Sequence, residues 1–224
     1  MSWPRGRWFP VFRPYTPVSP LGIPAKIQIR ETCTKTIADE CGHIDLIVKK
    51  YPGGKASTYL HSLTPGESLR FALVLRGYRW IPNKYTHVTL IAGGAGITPM
   101  YQLARGILCN PEDRTKVTLV FGVNSDEDML LKVEFDDLER RFPDQFKAVY
   151  TVSHPVEGST FRKGYVTKNL LEEFGVRPEK DTKVFICGPP AMEAALLGNL
   201  ASRSKGAKGI LEQIGYRKDQ VHKF

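Results

Sequence analysis

The sequence predicts an α/β C-terminal domain built on a doubly wound parallel sheet, residues 86–224, preceded by a partial antiparallel β-barrel domain, residues 1–85. Three observations carry this. After residue 85, short apolar runs alternate with segments of helical period, the rhythm of a parallel α/β sheet. Before it, short strand-like pieces are separated by Pro, Gly and polar residues. The charge divides at nearly the same place: residues 1–87 hold 13 Lys and Arg against 5 Asp and Glu, whereas residues 88–224 hold 19 against 18.

Taken in order, residues 27–29, 44–48 and 69–75 read as strands of the first domain. Between them, Gly53-Gly54-Lys55-Ala56-Ser57 precedes Tyr59, Leu60 and Leu63 and opens a helix. In the second domain residues 88–92 form an apolar strand, a Gly-rich turn follows, and a helix spans 99–108. Residues 117–121 are the next strand. A helix over 128–142 places Leu130, Leu131, Phe135 and Leu138 at helical spacing. A strand at 148–152 leads to a helix at 166–174, and a strand at 183–187 to a helix at 191–200. The basic stretch 202–209 reads as a surface loop, a last helix runs from 210 to 214, and residues 221–224 close the sheet.

The composition, 42% hydrophobic and 25% charged over 224 residues, is that of a globular protein and excludes disordered, collagen-like and disulfide-scaffold classes. The uncharged run 86–104 is long enough to cross a membrane, but Gly93, Gly94, Gly96 and Pro99 interrupt it, so no transmembrane segment is expected. Cys33, Cys41, Cys109 and Cys187 form no CxxC pair, and no His stands at ligand spacing. No metal site is expected, and the thiols fit a cytosolic or organellar protein. The first twelve residues lack the apolar stretch of a secretory signal. The basic first domain suits an acidic partner or an anionic cofactor. With no RNP-like block, RGG tract or zinc finger, no nucleic-acid partner is expected.

Four segments carry chemistry. Gly93-Gly94-Ala95-Gly96-Ile97-Thr98-Pro99 joins a strand to a helix. Glycines there let a pyrophosphate approach backbone N–H groups, Thr98 suits an N-cap, and Pro99 suits a first turn. The order is GxGxxP and not GxGxxG, and no Tyr/Lys pair or metal site supports a flavin-free dehydrogenase. Cys187-Gly188-Pro189-Pro190 ends the fourth strand of this domain and would line a reactive cleft. Ser125-Asp126-Glu127-Asp128 ends the second, where an adenosine ribose would lie; the acids repel a 2′-phosphate and favour NADH over NADPH, and they equally suit a helix cap. Arg13-Pro14-Tyr15-Thr16 offers a guanidinium for phosphate and a phenol able to stack on a flavin, and Gly54, Lys55 and Ser57 form a second phosphate cradle.

In this order RPYTP at 13–17, GGKAS at 53–57, GGAGITPM at 93–100, CGPPAM at 187–192 and the ending GYRKDQVHKF resemble the NADH–cytochrome b5 reductase family of the ferredoxin–NADP reductase superfamily, nearest to a fungal mitochondrial type. The resemblance runs from Arg13 to Phe224. It implies FAD on the barrel, held by Arg13, Pro14, Tyr15, Thr16, Gly54, Lys55 and Ser57. It implies NADH on the α/β domain, framed by Gly94, Gly96, Thr98, Pro99 and Ser125, with Cys187, Gly188 and Pro189 at the nicotinamide. Thr16 and Cys187 would be the residues nearest the chemistry. The implied activity is hydride transfer from NADH to FAD, then release of single electrons to an acidic haem protein of cytochrome b5 type. The implied location is mitochondrial or cytosolic, with any membrane association through a segment outside this chain. Only twelve residues precede RPYT, so the barrel is expected to lack its first strands. Ala56 and Ala191 replace residues usual in the family motifs. The alternative reading is a truncated or divergent member that binds nucleotide with little catalysis and serves as an interaction protein.

Overall fold

The computed structural model describes residues 15–18, 26–30, 43–69, 77–198, 200 and 207–224. The chain divides into two compact units, Met1–Arg79 and Trp80–Phe224.

In the second unit the strands are β3 (His87–Gly93), β4 (Lys116–Val123), β5 (Phe146–Val152), β6 (Arg162–Lys163), β7 (Thr182–Cys187) and β8 (Val221–Lys223). They follow β1 (Lys26–Arg30) and β2 (His43–Ile47) of the first unit. They form one six-stranded sheet in the order β6-β5-β4-β3-β7-β8, with every pair parallel. The central strands are apolar on both faces because helices cover both. Leu90, Ile91, Leu119, Val120, Phe185 and Ile186 have no solvent exposure. On one face Ile91, Val120, Val149, Val184 and Ile186 pack with Leu170 and Leu171, Leu196 and Leu197, and Leu211. Those leucines come from α4 (Lys168–Glu173), α5 (Pro190–Leu197) and α6 (Ile210–Ile214). The opposite face takes α2 (Ile97–Leu108), which packs on β3, β4 and β7, and α3 (Lys132–Arg141), which packs on β5. Phe135 of α3 stacks on Phe146 of β5 and meets Tyr101 of α2 edge-on. The chain winds outward from β3 through β4 and β5 to β6, then returns to the other side of β3 as β7. The switch point therefore lies at the carboxyl ends of β3 and β7.

The helix expected over residues 128–142 is broken, which corrects that reading. A 3-10 turn, Asp126–Asp128, comes first, and α3 starts only after Leu131, whose φ is +59°. A left-handed leucine costs roughly 1–2 kcal/mol. Its side chain is 5% exposed, and burial of a leucine offsets that with about 2 kcal/mol.

The first unit contains β1 (Lys26–Arg30), β2 (His43–Ile47) and α1 (Lys55–His61). The expectation of antiparallel pairing fails for β1 and β2, which run parallel in register Lys26↔His43 to Arg30↔Ile47. Twelve residues separate them, enough for a parallel return rather than a hairpin. An antiparallel bridge does join Pro17 to Leu46. Leu46, Val48 and Leu60 form a small core, against which Tyr15, Leu63 and Leu69 pack. The strand expected at 69–75 lies outside the described residues beyond Leu69, as do positions 202–206 of the expected surface loop.

Candidate functional site

The carboxyl ends of β3 and β7 are brought together by their register, Ala92↔Cys187. Their loops meet with almost no side chain between them. A Cβ on Gly93 would lie 2.6 Å from Pro189 Cδ and 2.7 Å from Met192 Sδ. A Cβ on Gly96 would overlap the Cys187 carbonyl and lie 3.0 Å from the Gly188 nitrogen. Gly94 sits at φ +50° with open space where its Cβ would be. The loop is thus closed toward β7 and bare backbone on its other side, which fits the close approach of a phosphate.

The turn over residues 94–96 is a 3-10 turn that runs directly into α2. Thr98 is not the N-cap expected of it; Gly96 holds that position. Thr98 lies in the first helical turn and donates its hydroxyl to the Ala95 carbonyl at 3.2 Å, which tightens the loop. Pro99 is buried in the same turn, where its missing N–H costs nothing.

Cys187 is half-buried at the end of β7. Burial pushes its thiol up to about 11, the Glu193 carboxylate adds to this, and Lys223 opposes it. At neutral pH the group is a neutral thiol and a poor nucleophile. Iodoacetamide at pH 7 is therefore expected to label exposed Cys109 while sparing Cys187. A shift of this size leaves about a hundredfold less thiolate than an ordinary cysteine has. Peptide mass spectrometry reads both sites, and prompt labelling of Cys187 at pH 7 contradicts the assignment.

Gly188 donates its N–H to Glu193 Oε1 at 3.4 Å, and Pro189 caps α5. Sequence reasoning missed Glu193. The signal was an acid in the first turn of a helix that opens on two prolines.

On the other side of β3, Ser125 takes the N-cap position of the turn after β4 without a side-chain cap bond. Asp126 accepts the Val156 N–H at 3.0 Å. The Ser159 hydroxyl and that N–H hold its carboxyl below the usual range. The two acid roles weighed from sequence, repelling a 2′-phosphate and capping the helix, are joined by a third, a tie to the loop after β5.

In the first unit, Gly54 is a position only glycine fits: a Cβ there would lie 2.5 Å from Ser57 Oγ and 3.0 Å from Tyr51 Cβ. Ser57 is buried and spends its hydroxyl within the turn, accepting Tyr51 N–H at 3.2 Å and donating to the Gly54 carbonyl at 3.1 Å. It shapes the turn, and Lys55 stands exposed at the start of α1. Tyr15 and Thr16 are half-buried beside β2, while Arg13 and Pro14 lie outside the described residues.

Residues 90–197 match the oxidoreductase NAD-binding domain family and residues 20–73 the oxidoreductase FAD-binding domain family. A protein of Emericella nidulans named NADH-cytochrome b5 reductase 2 is 47% identical over 218 residues, covering 96% of this chain and 62% of that protein. One of the same name from Pyricularia oryzae is 46% identical over 224 residues, 99% of this chain and 62% of its own. Over almost its whole length the chain is similar to these NADH–cytochrome b5 reductases, and it carries matches to both oxidoreductase domain families. It spans 62% of the length of these two reductases. Among solved structures, the cytochrome b5 reductase domain of Ulva prolifera nitrate reductase superposes with a TM-score of 0.75 at 28% identity, covering 96% of this chain and 77% of that one. The CS-b5R domains of human Ncb5or share the fold, with a TM-score of 0.68 at 22% identity over 95% of this chain and 55% of theirs. Among the described residues, no helix is long and apolar enough to cross a membrane.

Proposed function

We propose that this protein is an NADH-dependent FAD oxidoreductase that takes hydride from NADH and passes single electrons to a haem protein such as cytochrome b5. The observation that carries the reading is the pair of bare, touching loops at the switch point, Gly93–Gly96 against Cys187–Pro189. The names of the similar proteins support the activity.

In this reading the Gly94–Gly96 backbone and the N-terminus of α2 bind the pyrophosphate, since twelve helical residues aim their amide dipoles at it. Thr98 and Pro99 hold that turn in place. Ser125 takes the adenosine ribose. The Gly188–Pro189 backbone and the neutral Cys187 thiol form a wall for the nicotinamide, and a protonated thiol there neither attacks the ring nor repels it. Tyr15, Thr16, Gly54 and Lys55, with Arg13 and Pro14, would hold the flavin cofactor. The tight Gly54 turn and the exposed Lys55 ammonium fit a phosphate-bearing group. FAD, when bound, supplies the chemistry of accepting a hydride and giving up electrons singly. The basic first part of the chain suits an acidic haem partner.

A visible spectrum of the purified chain, with and without added FAD, tests this. A flavin band that bleaches on anaerobic NADH is expected; no flavin retained even after reconstitution contradicts it. Cofactor choice offers a further check. Ser125→Arg is expected to move the NADH/NADPH preference about tenfold toward NADPH, the effect of one added charge-assisted phosphate contact. Asp126→Arg is expected to do so less cleanly, since it also frees the Val156 N–H. Unchanged selectivity in both variants removes the ribose assignment.

A further inference from the structure

Two helices begin at the switch point, and their N-termini differ. α2 starts at Gly96 with no acid in its first turn. α5 starts at Pro189, and its first turn carries Glu193. The Glu193 side chain is only 11% exposed. It folds back over its own helix start, Oε1 accepting the Gly188 N–H at 3.4 Å. Its other oxygen, Oε2, meets Lys223 Nζ at 2.6 Å.

The lysine reaches it because β8 pairs with β7. Ile186 stands opposite Lys223, and Phe224 donates its N–H to the Ile186 carbonyl at 3.0 Å. The carboxylate and the ammonium thus both lie against the loop that carries Cys187 and Gly188. Each acts on the Cys187 thiol, in opposite directions.

NAD+ and NADH differ by one unit of charge, and that unit resides on the nicotinamide ring. A carboxylate behind the nicotinamide wall attracts the oxidised ring and leaves the reduced one indifferent. An ammonium paired to it cancels most of that preference. We infer that the Glu193–Lys223 pair sets the charge of the nicotinamide wall and so fixes the relative affinity for NAD+ and NADH, limiting retention of the oxidised product. The inference rests on the proposed placement of the nicotinamide at Cys187–Pro189. It assigns Glu193 and Lys223 as specificity-determining residues that need not touch the ring.

The test is direct binding at pH 8 to the full chain, with NADH followed by its own fluorescence and NAD+ by competition. Lys223→Met removes the ammonium and is expected to raise NAD+ affinity relative to NADH by about fivefold, the scale of one partly screened charge nearby. Glu193→Gln keeps the acceptor for Gly188 and is expected to shift the ratio the other way. The double variant and Lys223→Arg are expected to return close to the parent ratio. A purely structural role lowers both affinities together, so the ratio reads charge alone. If both nucleotides bind and the ratio is constant across the four variants, the inference is overturned. If the parent chain binds neither nucleotide, the dinucleotide reading itself falls and takes the inference with it.

Discussion

Gly96→Ala is expected to weaken NADH binding at least about tenfold and to lower the stability of the second unit by about 2 kcal/mol. The reason is backbone against backbone. A methyl group at this position overlaps the Cys187 carbonyl and crowds the Gly188 nitrogen, neither of which can swing aside as a side-chain end would. The β3 and β7 loops must separate, and the proposed pyrophosphate and nicotinamide portions of the site move apart with them. Gly94→Ala is the informative companion. Its methyl would enter open space, so its main intrinsic cost is a left-handed backbone at φ +50°, about 1 kcal/mol. If the pyrophosphate lies against Gly94, this variant loses NADH affinity far out of proportion to its stability. Nucleotide titration and thermal melts on both variants separate the two effects. Parent-like NADH binding by both would show that the glycine loop has no part in the site.

That contrast marks how far the sequence could be read. The order of elements in the second unit was legible because a buried parallel sheet writes itself as apolar runs, and β3, β4, β5 and β7 all fall on such runs. The Gly-rich and Cys-Gly-Pro segments were legible as candidate loops because strand ends and punctuating residues coincide there. That Gly96 is required by a carbonyl from β7, while Gly94 faces open space, was not legible. Both facts depend on which strand lies next to β3. The left-handed Leu131 was hidden too, since its leucines keep helical spacing on either side of the break. The parallel pairing of β1 and β2 was hidden because strand direction leaves no local mark on so short a pattern. β6, two exposed residues long, offers no apolar signal at all. Roles implied by motif proved least specific where a hydroxyl was concerned: Ser57 and Thr98 both spend theirs inside their own turns.

Asp113 was absent from every sequence-level consideration, and its removal is expected to cost the second unit about 3 kcal/mol, near 10 °C in melting temperature. The residue is 1% exposed. Its Oδ2 accepts the Trp80 indole N–H at 2.7 Å. Its Oδ1 accepts the Thr115 hydroxyl at 2.7 Å, the Thr115 N–H at 3.1 Å and the Asn83 N–H at 3.2 Å. One carboxylate therefore ties the segment that leads into β3 to the segment that leads into β4, and so sets where the central strands begin. Asp113→Ala leaves the two buried Thr115 donors and the part-buried Trp80 and Asn83 donors without this acceptor, which costs more than the bonds themselves contribute. The same bonds predict the pH dependence. Burial pushes the carboxyl up, but the Thr115, Trp80 and Asn83 donors together outweigh it and hold the group below its ordinary value. A depressed folded-state value means that the contribution is fully present above the ordinary carboxylate range and is lost as pH falls through the lower, folded value. Melting temperatures of the parent chain are thus expected to fall on acidification below about pH 4, with Asp113→Ala showing a shallower fall over the same range. Parallel acid profiles for the two proteins would mean that this carboxylate is not where the acid sensitivity resides.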